Sequence, residues 1–349
     1  MTQIVAQMLL LMILPLSLLA IDEVKSHPSL QRQPSISQGP QNPQSPPKSG
    51  EDWQQDEPIQ LESNLVNVVF SVADRENRFV TDLKKEEVVL LDGDTKQPIA
   101  FFGRSRELPL VLALVVDFSG SQEFIWPQER DAAQTFFNEI FRPGHDYVAV
   151  ASFRNTLQLH TGLTSQRERL DRVFKTLLRI DTGSARQGTA LYDAIFTTID
   201  EVLDGKTAQR ILKQNHLIPR RALIVLTDGR DTTSLRAPAA TTDRAHRALV
   251  TIYAIGIGDD FRFSGVNQAA LGGLCRETGG RDYYPRDPHE LRWAFKEIAE
   301  ELTSQYVAGF YPSETIRDGS FREIRLEIPG RKDLTIRYRR GYFAKAGQQ

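Results

Sequence analysis

Unbroken apolar runs that alternate with amphipathic segments are the feature that most constrains the fold of this chain. The runs are LVLALVV, YVAVASF, ALIVLT and VTIYAIGIG, and no charged residue interrupts any of them. Helical periodicity predicts helices over residues 128–141, 166–178, 238–247, 266–277 and 287–304. A strand that is apolar on both sides must be covered on both faces, as in a parallel sheet connected by helices. The pattern therefore predicts an α/β domain over residues 107–305, with a doubly wound, mainly parallel sheet and helices on both faces.

The segments on either side of this domain have a different pattern. Residues 59–106 alternate apolar and polar side chains in short runs that are broken by DREN and DGD. This alternation is typical of antiparallel hairpins with one solvated face. Residues 306–344 alternate in the same way. We therefore expect a small N-terminal β module over 59–106 and a C-terminal β segment over 306–344 that pairs with it.

The first 58 residues are expected to direct export and to tether the folded part. Met8–Ala20 is apolar, ends on a small residue and is shorter than the roughly 20 residues of a membrane span. No lysine or arginine precedes it, so an uncleaved N-terminal anchor is the alternative to a signal peptide over residues 1–20. Residues 21–58, rich in Pro, Gln and Ser, predict a disordered linker. The protein is accordingly expected in the periplasm, the cell envelope or the medium.

Charge and cysteine content exclude several classes of partner and site. Lysines and arginines number 43 against 45 aspartates and glutamates, without a long run of one sign. This balance gives no reason to expect nucleic acid or an anionic membrane as a partner. Cys275 is the single cysteine of the sequence. An intrachain disulfide, a metal site built from several cysteines and a lipid anchor after the apolar segment are therefore not expected.

The first apolar run ends on a carboxylate that is followed by two hydroxyls, in the sequence VVDFSGS. Asp117, Ser119 and Ser121 are spaced by two, so on an extended segment their side chains project to one side. Ligands of open α/β sheets bind beyond the carboxyl ends of the strands, which is where Asp117 is expected. Three oxygen groups without sulfur or imidazole suit a hard cation such as Mg²⁺, Mn²⁺ or Ca²⁺.

Two later segments supply further oxygen groups. GTALYDAI places Thr189 in a loop that enters a helix, and LIVLTDG ends a second buried strand on Asp228. If the two strands are neighbours, Asp228 lies beside Asp117, and a cation between the two carboxylates would offset their repulsion and desolvation. Taken singly, each of these residues also has an ordinary interpretation as a helix cap or a turn residue.

The three motifs, in this order, resemble those of the von Willebrand factor type A (VWA) domain family over about Leu108–Ser304. DFSGS is similar to the Asp-x-Ser-x-Ser signature of that family, GTALYDAI to its threonine loop and LTDG to its second aspartate. The resemblance implies a metal-ion-dependent adhesion site (MIDAS), in which the hydroxyls coordinate directly and the carboxylates directly or through water. The implied metal set is Asp117, Ser119, Ser121, Thr189 and Asp228. The flanks at 68–99 and 305–344 resemble exported bacterial VWA-related proteins known mainly from Acidobacteria.

The resemblance implies binding rather than turnover, so no enzymatic activity is expected. Two carboxylates balance the charge of a divalent ion, most simply Mg²⁺, and an open coordination position remains for an incoming anion. A Glu or Asp side chain of a partner protein is the natural ligand for that position, and such binding is lost when the metal is chelated.

Two other functions remain open at this point. VVDFSGS is also similar to the nucleophile strand of the haloacid dehalogenase superfamily, with Asp117 as nucleophile and Asp259 and Asp260 as a late acidic motif. That chemistry needs a second aspartate at the position of Ser119, which argues against it. The other alternative is an intracellular VWA subunit of an AAA ATPase or chelatase complex, which would not need an export signal.

Overall fold

The structure is a computed structural model that describes residues 65–119, 126–177, 188–215, 220–258, 265–312 and 318–346. The predicted signal peptide and linker, Ser121 and the pair Asp259 and Asp260 lie outside the described residues. Among the helices that are described, none has the length and apolar character needed to cross a bilayer.

The described part of the chain contains strands and helices with the following bounds. In chain order the strands are β1 Val66–Ala73, β2 Val89–Asp92, β3 Thr95–Gln97, β4 Phe101–Arg104, β5 Leu110–Asp117, β6 Tyr147–Phe153, β7 Leu157–Thr164, β8 Arg220–Thr227, β9 Val250–Gly256, β10 Asp282–Tyr283, β11 Tyr306–Phe310, β12 Phe321–Glu327, β13 Thr335–Tyr338 and β14 Gly341–Phe343. The α-helices are α1 Trp126–Ile140, α2 Arg167–Leu177, α3 Leu191–Thr197, α4 Lys206–Asn215, α5 Pro238–Ala248, α6 Gln268–Thr278 and α7 Pro288–Ser304. A π-helical turn over Thr198–Leu203 continues α3.

A six-stranded sheet with the order β10-β9-β8-β5-β6-β7 forms the centre of the fold. Its strand pairs are parallel except at one edge, where β7 runs antiparallel to β6. The predicted fold class, a mainly parallel sheet between helices, is therefore confirmed. The edge strand β7 is not among the strands that the sequence predicts.

The side chains of β5 alternate between two hydrophobic clusters on opposite faces of this sheet. Leu112 and Leu114 pack in a cluster with residues of α1, α2 and α7. Val111 and Val115 pack in a second cluster with residues of α3, α5 and α6. Because all eight residues of β5 are buried, core packing on both faces fixes the position of Asp117 at its carboxyl end.

Two four-stranded antiparallel sheets combine strands from both ends of the described chain, in the orders β13-β1-β11-β4 and β14-β12-β2-β3. In the first, Val66 lies opposite Phe310. In the second, Leu90 lies opposite Leu326. The N-terminal and C-terminal segments thus pair with each other through backbone hydrogen bonds, as the sequence pattern predicts.

Candidate metal centre

The carboxyl ends of β5 and β8 lie side by side at one edge of the central sheet. The two strands are parallel neighbours in which Val116 pairs with Leu226. The next residues, Asp117 and Thr227, are both fully buried, and Asp228 follows with 6% exposure. The structure therefore brings the two aspartates of the predicted set to the same place.

Two hydrogen bonds hold the Asp117 carboxylate in a fixed orientation. The backbone N–H of Ser119 donates to Oδ1 at 2.8 Å, and the Thr227 hydroxyl donates to Oδ2 at 2.7 Å. The Thr227 Oγ1 in turn accepts the backbone N–H of Gly229 at 3.1 Å. Thr227 is a site residue that the sequence argument missed; the available signal was a hydroxyl immediately before Asp228 at a strand end.

Two carboxylates lie together at this buried edge. Burial raises the pKa of Asp117 to about 6, the hydrogen bonds from Thr227 and Ser119 lower it, and the nearby negative charge of Asp228 raises it. The Arg230 side chain, 58% exposed, has its Nε 3.9 Å from an Asp228 oxygen. An exposed ion pair at that distance contributes little. A buried set of oxygen groups that includes two carboxylates fits a hard divalent cation.

The loop that carries Thr189 is fastened to the loop that follows Asp228. The Thr189 backbone N–H donates to Oγ1 of Thr232 at 2.8 Å. The Thr189 carbonyl accepts the backbone N–H groups of Thr232 and Thr233 at 2.8 and 3.2 Å. A Cβ on Gly188 would lie 2.2 Å from the Thr233 methyl, so only glycine allows this close approach. Thr189 is thereby held near the end of β8.

Arg154, which follows β6, connects this loop with the loop after β5. Its Nε donates to the Phe118 carbonyl at 2.8 Å, and its own carbonyl accepts the Ala190 N–H at 2.7 Å. Three loops that are distant in sequence are therefore linked by hydrogen bonds. Arg154 is the second residue of the site that sequence reasoning did not identify, because its role depends on which loops meet.

The structure gathers four of the five predicted ligands at this edge and does not describe the fifth. Asp117, Ser119, Thr189 and Asp228 are each at least nine-tenths buried, and Ser121 lies outside the described residues. Among the residues that the structure describes, no group of three or more His, Cys, Asp or Glu side chains is close enough to hold a metal by itself. A metal at this edge would depend on hydroxyl ligands, and the assignment of the five residues as ligands stays a prediction.

The fold and the site define an α/β domain with oxygen-bearing side chains at the strand ends of a doubly wound sheet. Residues 112–285 match the family model of the von Willebrand factor type A domain. This part of the chain is therefore a VWA domain. No curated protein sequence matches the chain significantly.

Three solved structures illustrate the fold similarity. An aerotolerance-related membrane protein from Bacteroides fragilis is 17% identical, with 55% of this chain and 98% of that chain covered and a TM-score of 0.42. A von Willebrand factor type A protein from Catenulispora acidiphila is 13% identical, with coverage of 82% and 76% and a TM-score of 0.45. Proximal thread matrix protein 1 from the mussel byssus, solved with a zinc-occupied MIDAS motif, is 15% identical, with coverage of 60% and 48% and a TM-score of 0.46.

Proposed function

We propose that this protein is an exported, metal-ion-dependent protein-binding module. In the proposal a divalent cation, Mg²⁺ before Mn²⁺ or Ca²⁺, is held by Asp117, Ser119, Ser121, Thr189 and Asp228. The observation that carries it is the placement of Asp117 at the end of a buried strand, oriented by Thr227 and beside a second carboxylate.

The carboxylates and the hydroxyls of the proposed site have different roles in binding the cation. The two aspartates offset the charge of the cation, while the hydroxyls of Ser119, Ser121 and Thr189 add ligands without adding charge. The bound cation would supply an electrophilic position for an anion. A carboxylate from a Glu or Asp of a partner protein fits that position, because hard divalent cations prefer carboxylate oxygen.

Binding fits the surroundings of Asp117 better than nucleophilic catalysis does. Both of its carboxylate oxygens already accept a hydrogen bond. His160 lies with its ring centroid 6.4 Å from that of Phe118, which lies in the loop after β5. Its ring shares a 2.7 Å hydrogen bond with Ser152 Oγ.

The proposed function is tested by capture of a partner from envelope extract on immobilised protein. Wild-type protein is expected to retain a partner in Mg²⁺, to release it in EDTA and to rebind it when Mg²⁺ is restored. Asp117→Ala protein is expected to retain nothing in either condition. Capture that persists in EDTA would contradict the proposal.

Two further measurements separate the alternatives. Hydrolysis of a generic phosphate ester that is lost in an Asp117→Asn protein would support the phosphohydrolase. Cell fractionation that places the protein in the cytosol, together with copurification of an ATPase, would support the chelatase-type subunit. Neither result is expected.

The Thr227 hydroxyl is expected to contribute to metal affinity through Asp117. Thr227→Val keeps the shape of the side chain but removes the donor to Asp117 Oδ2, and loss of such an outer hydrogen bond typically weakens metal binding by about 10- to 100-fold. Isothermal titration with Mg²⁺ measures the effect. Thr135→Val is the matched control, since that exposed hydroxyl donates only to a carbonyl of its own helix. Equal Mg²⁺ affinity in Thr227→Val and wild type would show that the hydroxyl does not support the site.

A further inference from the structure

Glu129 is a carboxylate on the buried face of α1. It lies in the first turn of that helix, shares the buried face with Ala132, Ala133 and Phe136, and is 1% exposed. Spacings of three and four residues place these four side chains on one face of the helix. An apolar residue would be the ordinary occupant of such a position.

Nothing in the described part of the chain compensates the burial of this carboxylate. Neither Oε1 nor Oε2 has a hydrogen-bond partner there. None of the ion pairs found among the described residues includes Glu129. The dipole at a helix N-terminus favours a carboxylate only weakly, whereas the burial of an isolated charge is far more costly. An ionised carboxylate is therefore costly at this position unless a cation lies near it, and without one burial favours the protonated form.

Glu129 and Asp117 are electrostatically coupled. Burial raises the pKa of Glu129 well above its ordinary value, and the second cause of that increase is the negative charge of Asp117. Ala133, on the same helix face as Glu129, packs in one cluster with Val116 and Phe118, the residues on either side of Asp117. The helix face that carries Glu129 therefore packs against the end of β5. No three acidic or imidazole side chains of the described residues are close enough to hold one ion, so Glu129 does not form a three-carboxylate group with Asp117 and Asp228.

We propose that Glu129 is an outer carboxylate of the metal centre, whose negative charge is balanced by the bound cation through an intervening water. This inference rests on the proposed function, because it requires a divalent cation between Asp117 and Asp228. It explains why a carboxylate occupies a core position on α1. It also assigns α1 a direct influence on how tightly the metal is held.

The test is the affinity of the purified protein for Mn²⁺ alone, measured by electron paramagnetic resonance of the free ion. Glu129→Gln keeps the size of the side chain and removes its charge, and we expect it to weaken Mn²⁺ binding by about tenfold or more, as outer-shell changes do. In EDTA the same variant is expected to be at least as stable to heat as wild type, since a buried charge has been removed. Glu139→Gln, at an exposed position of the same helix, is the matched control and should match wild type in both measurements.

The outcomes separate this inference from the proposed function. If wild type binds Mn²⁺, Asp117→Asn does not and Glu129→Gln binds as wild type does, the inference on Glu129 is wrong and the metal site stands. If wild type binds no Mn²⁺, the proposed function itself fails, and the inference with it. A second measurement uses wild-type protein and so does not depend on the folding of a variant. It is electron–nuclear double resonance of bound Mn²⁺ on protein labelled with a magnetic isotope at its glutamate carboxyl carbons. A coupling to a glutamate carboxyl is expected, and its absence would overturn the inference.

Discussion

Asp117→Ala protein is expected to lose all of the thermal stabilisation that Mg²⁺ gives to the wild type. A ligand that binds only the folded state at about 100 times its Kd adds about 2.7 kcal/mol to the free energy of unfolding. Wild-type protein should show an increase of this size between EDTA and saturating Mg²⁺. The variant should show none, because Asp117 is the fully buried carboxylate of the proposed ligand set, held in place by the Ser119 N–H and the Thr227 hydroxyl.

The quantity to compare is the increase in the free energy of unfolding that Mg²⁺ gives to each protein relative to EDTA. The absolute stabilities of the two proteins differ for other reasons. Asp117→Ala leaves the Thr227 hydroxyl and the Ser119 N–H without their acceptor, which costs about 1–3 kcal/mol per buried group. It also removes a buried charge, which acts in the opposite direction. Asp94→Ala is the control, because that side chain is 99% exposed. A full Mg²⁺ increment in Asp117→Ala would place the metal elsewhere in the molecule.

Much of the fold could be predicted because the central strands are buried on both faces. The run LVLALVV corresponds to β5 almost residue by residue, and no other element type suits a short apolar run in that context. The strand β7, LQLHTGLT, was missed because it lies at the edge of the sheet with six of its eight residues partly or fully exposed. The pairing of β7 with β6 also contains register shifts, which interrupt the regular alternation of side chains expected of a strand.

Some residues of the candidate site could be predicted from the sequence, whereas others are recognised only in the folded structure. Asp117 and Asp228 could be predicted to meet, because parallel strands deliver their carboxyl ends to one edge. Glu129 could not, since a glutamate in the first turn of a helix is usually a solvated residue that favours the helix dipole. Arg154 could not either, because its hydrogen bonds join two loops whose contact depends on the whole α/β arrangement.

A second buried carboxylate, Asp146, connects the end of α1 to the start of β5. It is 1% exposed and accepts the backbone N–H groups of Leu110 and Arg142, each at 2.9 Å. The Arg142 side chain adds two bonds to the same carboxylate, from Nε at 2.9 Å and from Nη2 at 2.7 Å. Although burial opposes it, these bonds hold the pKa of Asp146 below its ordinary value.

Asp146→Ala is therefore expected to lower the free energy of unfolding by about 3 kcal/mol, since it leaves two backbone donors without an acceptor and a partly buried guanidinium without its carboxylate partner. Urea unfolding at neutral pH measures the loss, and Asp131→Ala, an exposed carboxylate on α1, should change the stability little. The sign of the pH dependence follows from the lowered pKa: the contribution of Asp146 is fully present above the ordinary value of 3.8 and is lost as pH falls through the lower folded value. The difference in the free energy of unfolding between wild type and variant should thus be constant from neutral pH down to about pH 4. It should become smaller only below that pH. A difference that narrows well above pH 4, or one that never exceeds that of Asp131→Ala, would show that these hydrogen bonds do not stabilise the start of β5.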